Sequence, residues 1–198
     1  MDFAPRVDGR STRGILPTMG NEPQHARPEV SPDPYVRLAA AAIRAFIEQQ
    51  TALSPPADLP AEMRERAAVF VSIKKSGALR GCIGTFFPSE PTIADEIVVN
   101  AIKSATMDPR FPPIDASEVD DLSVSVDVLT TPEPCTEADL DPSVYGILVR
   151  SGARRGLLLP DLEGVETVAD QVLITRRKAG IGPNEPIEIA RFRVERHT

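Results

Sequence analysis

Histidine is almost missing from this chain: its 198 residues include two, His25 in a proline-rich leader and His197 beside the C-terminus. A Ser/His/Asp or Cys/His catalytic arrangement, an HExxH zinc site and a two-histidine iron site all need imidazoles inside the fold. Histidine-based chemistry therefore loses its support unless His197 folds back. Cysteine is as scarce. Cys82 and Cys135 stand far apart and form neither a disulfide framework nor a CxxC metal knuckle, with a single bridge between them left open. A reducing cytoplasm is the simplest setting for such usage. No apolar run reaches transmembrane length, and the N-terminus, with Asp2 and Asp8, has no hydrophobic signal core. These absences predict a soluble, cytoplasmic protein that is not exported. Basic excess is lacking too. A formal charge of −7 and a pI near 5.0 argue against nucleic acid or a membrane surface as partner.

What is present is a hydrophobic content of 41% in a chain long enough for one sizeable core and too short for two comfortable ones. Residues 1–30 alternate Pro, Gly, Arg, Asp and Ser with few apolar groups, so they read as a disordered leader, leaving 31–198 as the domain. Asp33-Pro34 has the form of a helix N-cap with proline at the first helical position. Leu38, Ala41, Ala42, Ala45 and Phe46 then form the stripe of an amphipathic helix to about Gln50. Pro55, Pro56 and Pro60 mark 51–65 as a loop. Residues 67–75 and 78–86, both apolar and separated by Ser76-Gly77, predict a β-hairpin.

Thr92 and Asp95 resemble a capping box ahead of a helix carrying Ile97, Val98, Ala101, Ile102 and Ala105 and ending near Met107. Residues 122–129 alternate cleanly, with Val124, Val126 and Val128 on one side and Ser123, Ser125 and Asp127 on the other. The serine side is expected to line solvent or a cleft. A second hairpin turns at Ser151-Gly152, with Arg154 and Arg155 near its tip. A helix over 166–179 ends in Arg176-Arg177-Lys178 and Gly180, and 187–194 closes the chain as one strand. Helices interspersed with hairpins give an α+β domain with a mixed, largely antiparallel sheet and flanking helices.

The segment Leu79-Arg80-Gly81-Cys82-Ile83-Gly84-Thr85 concentrates the chemistry. Glycine inside a strand needs a bulge, a tight bend or an approaching ligand, and Gly81 and Gly84 bracket a thiol. The segment matches neither the GxxxxGK[ST] nor the GxGxxG phosphate pattern. Period two puts Arg80 and Cys82 on one face, where a guanidinium favours a thiolate. A two-residue turn without irregularity sets Cys82 opposite Val71 and Arg80 opposite Ile73, where apolar neighbours work the other way. Structural and reactive roles for the thiol both stand. Asp108-Pro109-Arg110 either pairs with itself around a turn or supplies a general base, the latter only if burial raises the carboxyl pKa. Arg176-Arg177-Lys178 offers an anion site, though cations in a last helical turn are expected from the helix dipole alone.

In this order, LRGCIGT at 79–85, DPRFPP at 108–113, Tyr145-Gly146 before a strand, GLLLP at 156–160 and Lys178-Ala179-Gly180 resemble the AMMECR domain family. Its bacterial and archaeal members are called AmmeMemoRadiSam system protein A. The resemblance runs from about Ser31 to Val194 and implies a larger and a smaller subdomain around a cleft, with the LRGCIGT segment at that cleft. It implies no particular reaction. Two departures stand out: 161–175 has no tryptophan where the family often places one, and Thr175-Arg176-Arg177 precedes the KAG segment where a cysteine is common.

Two functions follow as expectations. In the first, an accessory or adaptor subunit acts with a Memo-like protein and a radical SAM protein, and Gly81, Gly84, Thr85, Arg110 and Lys178 contact a small-molecule ligand or partner. In the second, a cysteine-dependent enzyme of a modification pathway uses Cys82, with Arg80 and Asp108 assisting. No metal site is expected.

Overall fold

The computed structural model describes Ser31 and residues 33–198; the expected leader lies outside the described residues. Helix α1 (Pro34–Gln49) starts where Asp33 accepts the N–H groups of Tyr35 and Val36, with proline at the first turn. Its buried side carries Tyr35, Leu38, Ala39, Ala42 and Ile43, while Ala41, expected inside, is exposed. The proline-marked loop adds one anchor, Met63, which is fully buried.

Strands β1 (Ala68–Lys75) and β2 (Ala78–Gly84) form the expected hairpin. Ser76 and Gly77 both adopt positive φ (49° and 81°), the type I′ turn whose twist suits a two-residue hairpin. Helix α2 (Ile93–Thr106) is capped by Thr92, and β3 (Leu122–Leu129) follows. After the short β4 (Glu133–Cys135), which has no alternating signature in the sequence, β5 (Gly146–Ser151) and β6 (Arg154–Leu158) make the second hairpin. Helix α3 (Val168–Ala179) ends on Gly180 at φ 66°, a left-handed cap that glycine adopts freely.

The expected last strand is two strands, β7 (Glu188–Phe192) and β8 (Val194–His197), and they belong to different sheets. One sheet has the order β2-β1-β3-β8 and the other β4-β7-β5-β6; the architecture is α+β as expected, and among the described residues every pairing is antiparallel, so the expected largely antiparallel sheet is divided into two. The crossing at Arg193 is pinned by Thr130, whose N–H donates to the Arg193 carbonyl at 3.0 Å and whose Oγ1 accepts the Arg193 N–H at 2.9 Å.

Three apolar clusters follow from this layout. Val69, Val71, Ile73 and Val126 of the first sheet pack under α1 and α2. Ile147, Val149 and Leu158 of the second pack under Val172 of α3. Between the sheets, Ala68, Phe70 and Leu129 meet Leu148, Leu157 and Phe192. His197 does fold back. It stacks on Tyr35 at 3.7 Å between ring centroids, with Nδ1 2.9 Å from the Asp33 carboxylate. Paired with Val126, it lies on the helix-covered face of the first sheet. No helix among the described residues is long and apolar enough to cross a membrane.

Candidate functional site

A β-bulge decides where Cys82 points. The hairpin register runs Lys75↔Ala78 and Lys74↔Leu79, then jumps to Ile73↔Gly81 and Ser72↔Cys82, leaving Arg80 as the extra residue. A one-residue shift turns every following side chain to the other face. Cys82 therefore opposes Ser72 instead of the expected Val71, and it leaves the helix-covered face. The bulge also breaks the expected parity between Arg80 and Cys82. Arg80 turns to Glu118, bonding both carboxylate oxygens at 2.8 and 3.2 Å, and to the carbonyls of Pro112 and Pro113. With Lys75 also bonded, Glu118 is held down to about 2, principally by Arg80. Arg80 is thus a structural cation, committed away from the thiol.

The DPRFPP segment clasps the Cys82 peptide from the open edge of β2. Asp108, 5% exposed, accepts the Cys82 N–H at 2.8 Å, while Arg110 donates to the Cys82 carbonyl at 3.2 Å. The two side chains close the clasp with bonds of 2.9 and 2.7 Å. An edge strand that would otherwise present bare backbone groups is so covered. The Arg110 guanidinium, then the Cys82 N–H, hold the Asp108 carboxyl well below the usual carboxylate range, against the opposing effect of burial. The sequence expectation of a general base asked for the opposite shift; with both oxygens bonded, Asp108 anchors the Cys82 peptide.

Helix α2 ties β1 and β2 together from the helix-covered face. Glu96, Asn100 and Ser104, one helical turn apart, form a buried polar stripe in which Asn100 donates to the Val69 carbonyl and Ser104 to the Val71 carbonyl. Ser104 Oγ also accepts the Ile83 N–H at 2.8 Å. Burial raises the Glu96 pKa, but bonds from Thr85, Glu90 and Ser89 together bring it below its ordinary value. Thr85, nominated as a ligand contact, is thereby engaged with Glu96 at 2.6 Å.

The two glycines permit close approaches that the chain itself makes. A Cβ on Gly81 would sit 2.2 Å from the Ser104 carbonyl oxygen, and one on Gly84 would sit 2.1 Å from the Phe70 ring. Helix α2 and Phe70 thus occupy the space that the sequence left open to a ligand.

Cys82 Sγ accepts a hydrogen bond from Ser72 Oγ at 3.2 Å, and Ser125 is the next residue across the same row of the sheet. This thiol–hydroxyl–hydroxyl row is half-buried. Arg110, bonded to the Cys82 carbonyl, and Lys178, from the last turn of α3, both lie close enough to the thiol and to each other to interact electrostatically. Lys178 donates to the Leu157 carbonyl at 2.8 Å. Although the residue as a whole is exposed, desolvation of its ammonium, aided by the like charge of Arg110, pushes its pKa down.

The structure therefore gathers Cys82, Asp108, Arg110 and Lys178, leaves Arg80 and Thr85 with other partners, and adds Ser72 and Ser125. Ser125 was legible as a cleft-facing residue of an alternating strand. Ser72 was concealed by the register, although it is the lone hydroxyl in the run Val69-Phe70-Val71-Ser72-Ile73. Both cysteines are free thiols. A groove of about 490 Å³ lies elsewhere, between α1 and β3, lined by Val36, Ala40, Ile43, Val119 and Val124; it includes none of the nominated residues.

Comparison with known proteins agrees with this fold and spacing. The AMMECR1 family model matches residues 36–197. A protein of Thermotoga maritima is 48% identical over 168 residues, covering 83% of this chain and 97% of its own length. A Clostridium acetobutylicum protein is 46% identical over 167 residues; the match covers 83% of this chain but only 36% of that longer protein. The crystal structure of an uncharacterised protein from Pyrococcus horikoshii superposes with a TM-score of 0.76 at 34% identity, covering 82% of this chain and 88% of that one.

Proposed function

The chain belongs to the AMMECR1 family, and on that premise we propose that it is an accessory or adaptor subunit acting with a Memo-like protein and a radical SAM protein. It takes up a ligand, or a group of its partner, beside Cys82. The observation that carries this reading is the composition of the site. A half-buried thiol and hydroxyl row lies near two cations, while the nearby carboxylates Asp108 and Asp127 are each taken up in an ion pair with an arginine. That is binding equipment more than turnover equipment. The Clostridium relative supports the modular part of the reading, since there the homologous region is about a third (36%) of a longer chain.

Native mass spectrometry of the full chain mixed with Memo-like and radical SAM proteins tests it. The expected result is a complex at micromolar concentration, loosened by Arg110→Ala. Absence of a complex with either protein contradicts the adaptor role. The alternative, a Cys82-dependent enzyme, draws on the Ser72 hydrogen bond to the thiol and on the positive charge of Arg110 near it. It gains the upper hand if Cys82→Ser abolishes product formation while leaving the complex intact.

A further inference from the structure

Charge around the thiol is unbalanced, and the imbalance has a definite size. Arg110 is matched by Asp108, so that pair is neutral overall. Lys178 has no carboxylate within ion-pair distance among the described residues; its ammonium bonds a backbone carbonyl instead. One positive charge is left over, in a chain whose net charge is −7. The donors are also partly unused. Arg110 spends Nε and Nη2 on Asp108 and the Cys82 carbonyl, while Nη1 bonds nothing among the described residues. An ammonium has three donors, of which the Leu157 carbonyl takes one.

We propose that the open end of the first sheet binds a carboxylate, held between the Lys178 ammonium and the Nη1 edge of Arg110, above the Cys82–Ser72–Ser125 row. A carboxylate brings the single negative charge that cancels the surplus, and its two oxygens meet one donor from each cation. A phosphate ester brings up to two charges and would leave the site negative. The Ser125 hydroxyl, which makes no hydrogen bond among the described residues, sits in the row below as a further donor. Because Lys178 is on α3 and Arg110 follows α2, the same carboxylate bridges the two halves of the fold. This inference rests on the binding role proposed above and names the class of ligand. The acid comes either from a small molecule or from a partner's side chain or C-terminus, and the shared chemistry is the carboxylate.

The test is a titration of the full chain by NMR, at fixed ionic strength, with acetate, inorganic phosphate, and a short peptide bearing either a free or an amidated C-terminus. The readouts are the Cys82 amide and the Lys178 side-chain titration. The expected result is saturable binding of acetate or the free-carboxyl peptide, a rise in the Lys178 pKa on binding, and no response to the amidated peptide. Tighter binding of acetate assigns a small-molecule source, and tighter binding of the peptide assigns a partner. Lys178→Met should weaken binding about tenfold, the loss of one charge-assisted hydrogen bond, whereas Arg177→Met on the same helical turn should not. Phosphate binding as tightly as acetate, or unchanged affinity in Lys178→Met, overturns the proposal. Failure here with a partner complex still forming removes the carboxylate and leaves the adaptor role standing.

Discussion

On one face of the first sheet Val69, Val71, Ile73 and Val126 are completely enclosed beneath α1 and α2; the other face carries Ala68, Phe70, Leu129 and Asp127 at one end and Ser72, Cys82 and Ser125 at the other. The first face is apolar along its length because helices cover all of it. The second is mainly apolar where the second sheet covers it, with the buried Asp127 paired to Arg196, and carries hydroxyls and a thiol where that cover stops. The candidate site thus begins where the interface between the sheets ends, and the Arg80 bulge puts the thiol on that side.

The comparison breaks most easily on the covered face. Ile73→Ala should cost about 3 kcal/mol in denaturant melts, because a buried isoleucine leaves a cavity that surrounding helices fill only in part. Gly81→Ala should cost about 2 kcal/mol or more, since the new methyl meets a backbone carbonyl that cannot rotate away. Asp108→Asn, which loosens the clasp on Cys82, should cost about 2 kcal/mol at neutral pH, as expected for hydrogen bonds to charged groups.

That last variant also carries a sign in pH. Arg110 holds the folded Asp108 pKa below its ordinary 3.8, so the stability it contributes is present above that value and is lost as pH falls toward the folded one. Acid titration should show the native protein losing stability below pH about 4 more steeply than Asp108→Asn. Parallel curves would mean that the clasp is not ionic. The smallest effect belongs to the open end: Ser72→Ala should change stability by about 0.5 kcal/mol or less, as substitutions away from packed features do. A cost comparable to that of Ile73→Ala would make the row a packing surface after all.

Much of this layout was legible in the sequence because it depends on neighbours along the chain. Asp33 and Thr92 as caps, the Ser76-Gly77 turn, and Gly180 after the basic turn of α3 are all local rules. What was concealed depends on distant residues. The bulge at Arg80 follows from Glu118 and the Pro112 and Pro113 carbonyls drawing that side chain out of the ladder. The break at Arg193 is set by Thr130, and β4 is a strand only because β7 lies beside it. His197 looked peripheral until β8 carried it back onto Tyr35. For the site, Cys82, Arg110 and Lys178 could be picked out from the sequence, but not the partition of cations. Arg80, nearest to the thiol in sequence, is bound elsewhere, and the two cations that interact with it electrostatically come from positions 110 and 178.

The chain carries its own internal control, because Cys135 lies in β4, flanked by Glu133, Asp139 and Arg191, with its thiol pKa pushed up by burial. Alkylation of the folded protein by iodoacetate, an anion, and by iodoacetamide, its neutral counterpart, followed by peptide mapping, compares the two thiols directly. If the open end of the sheet is an electropositive site, the ratio of iodoacetate to iodoacetamide rates is higher at Cys82 than at Cys135, and Lys178→Met removes the difference. Equal ratios at the two cysteines, or a lower one at Cys82, would contradict it.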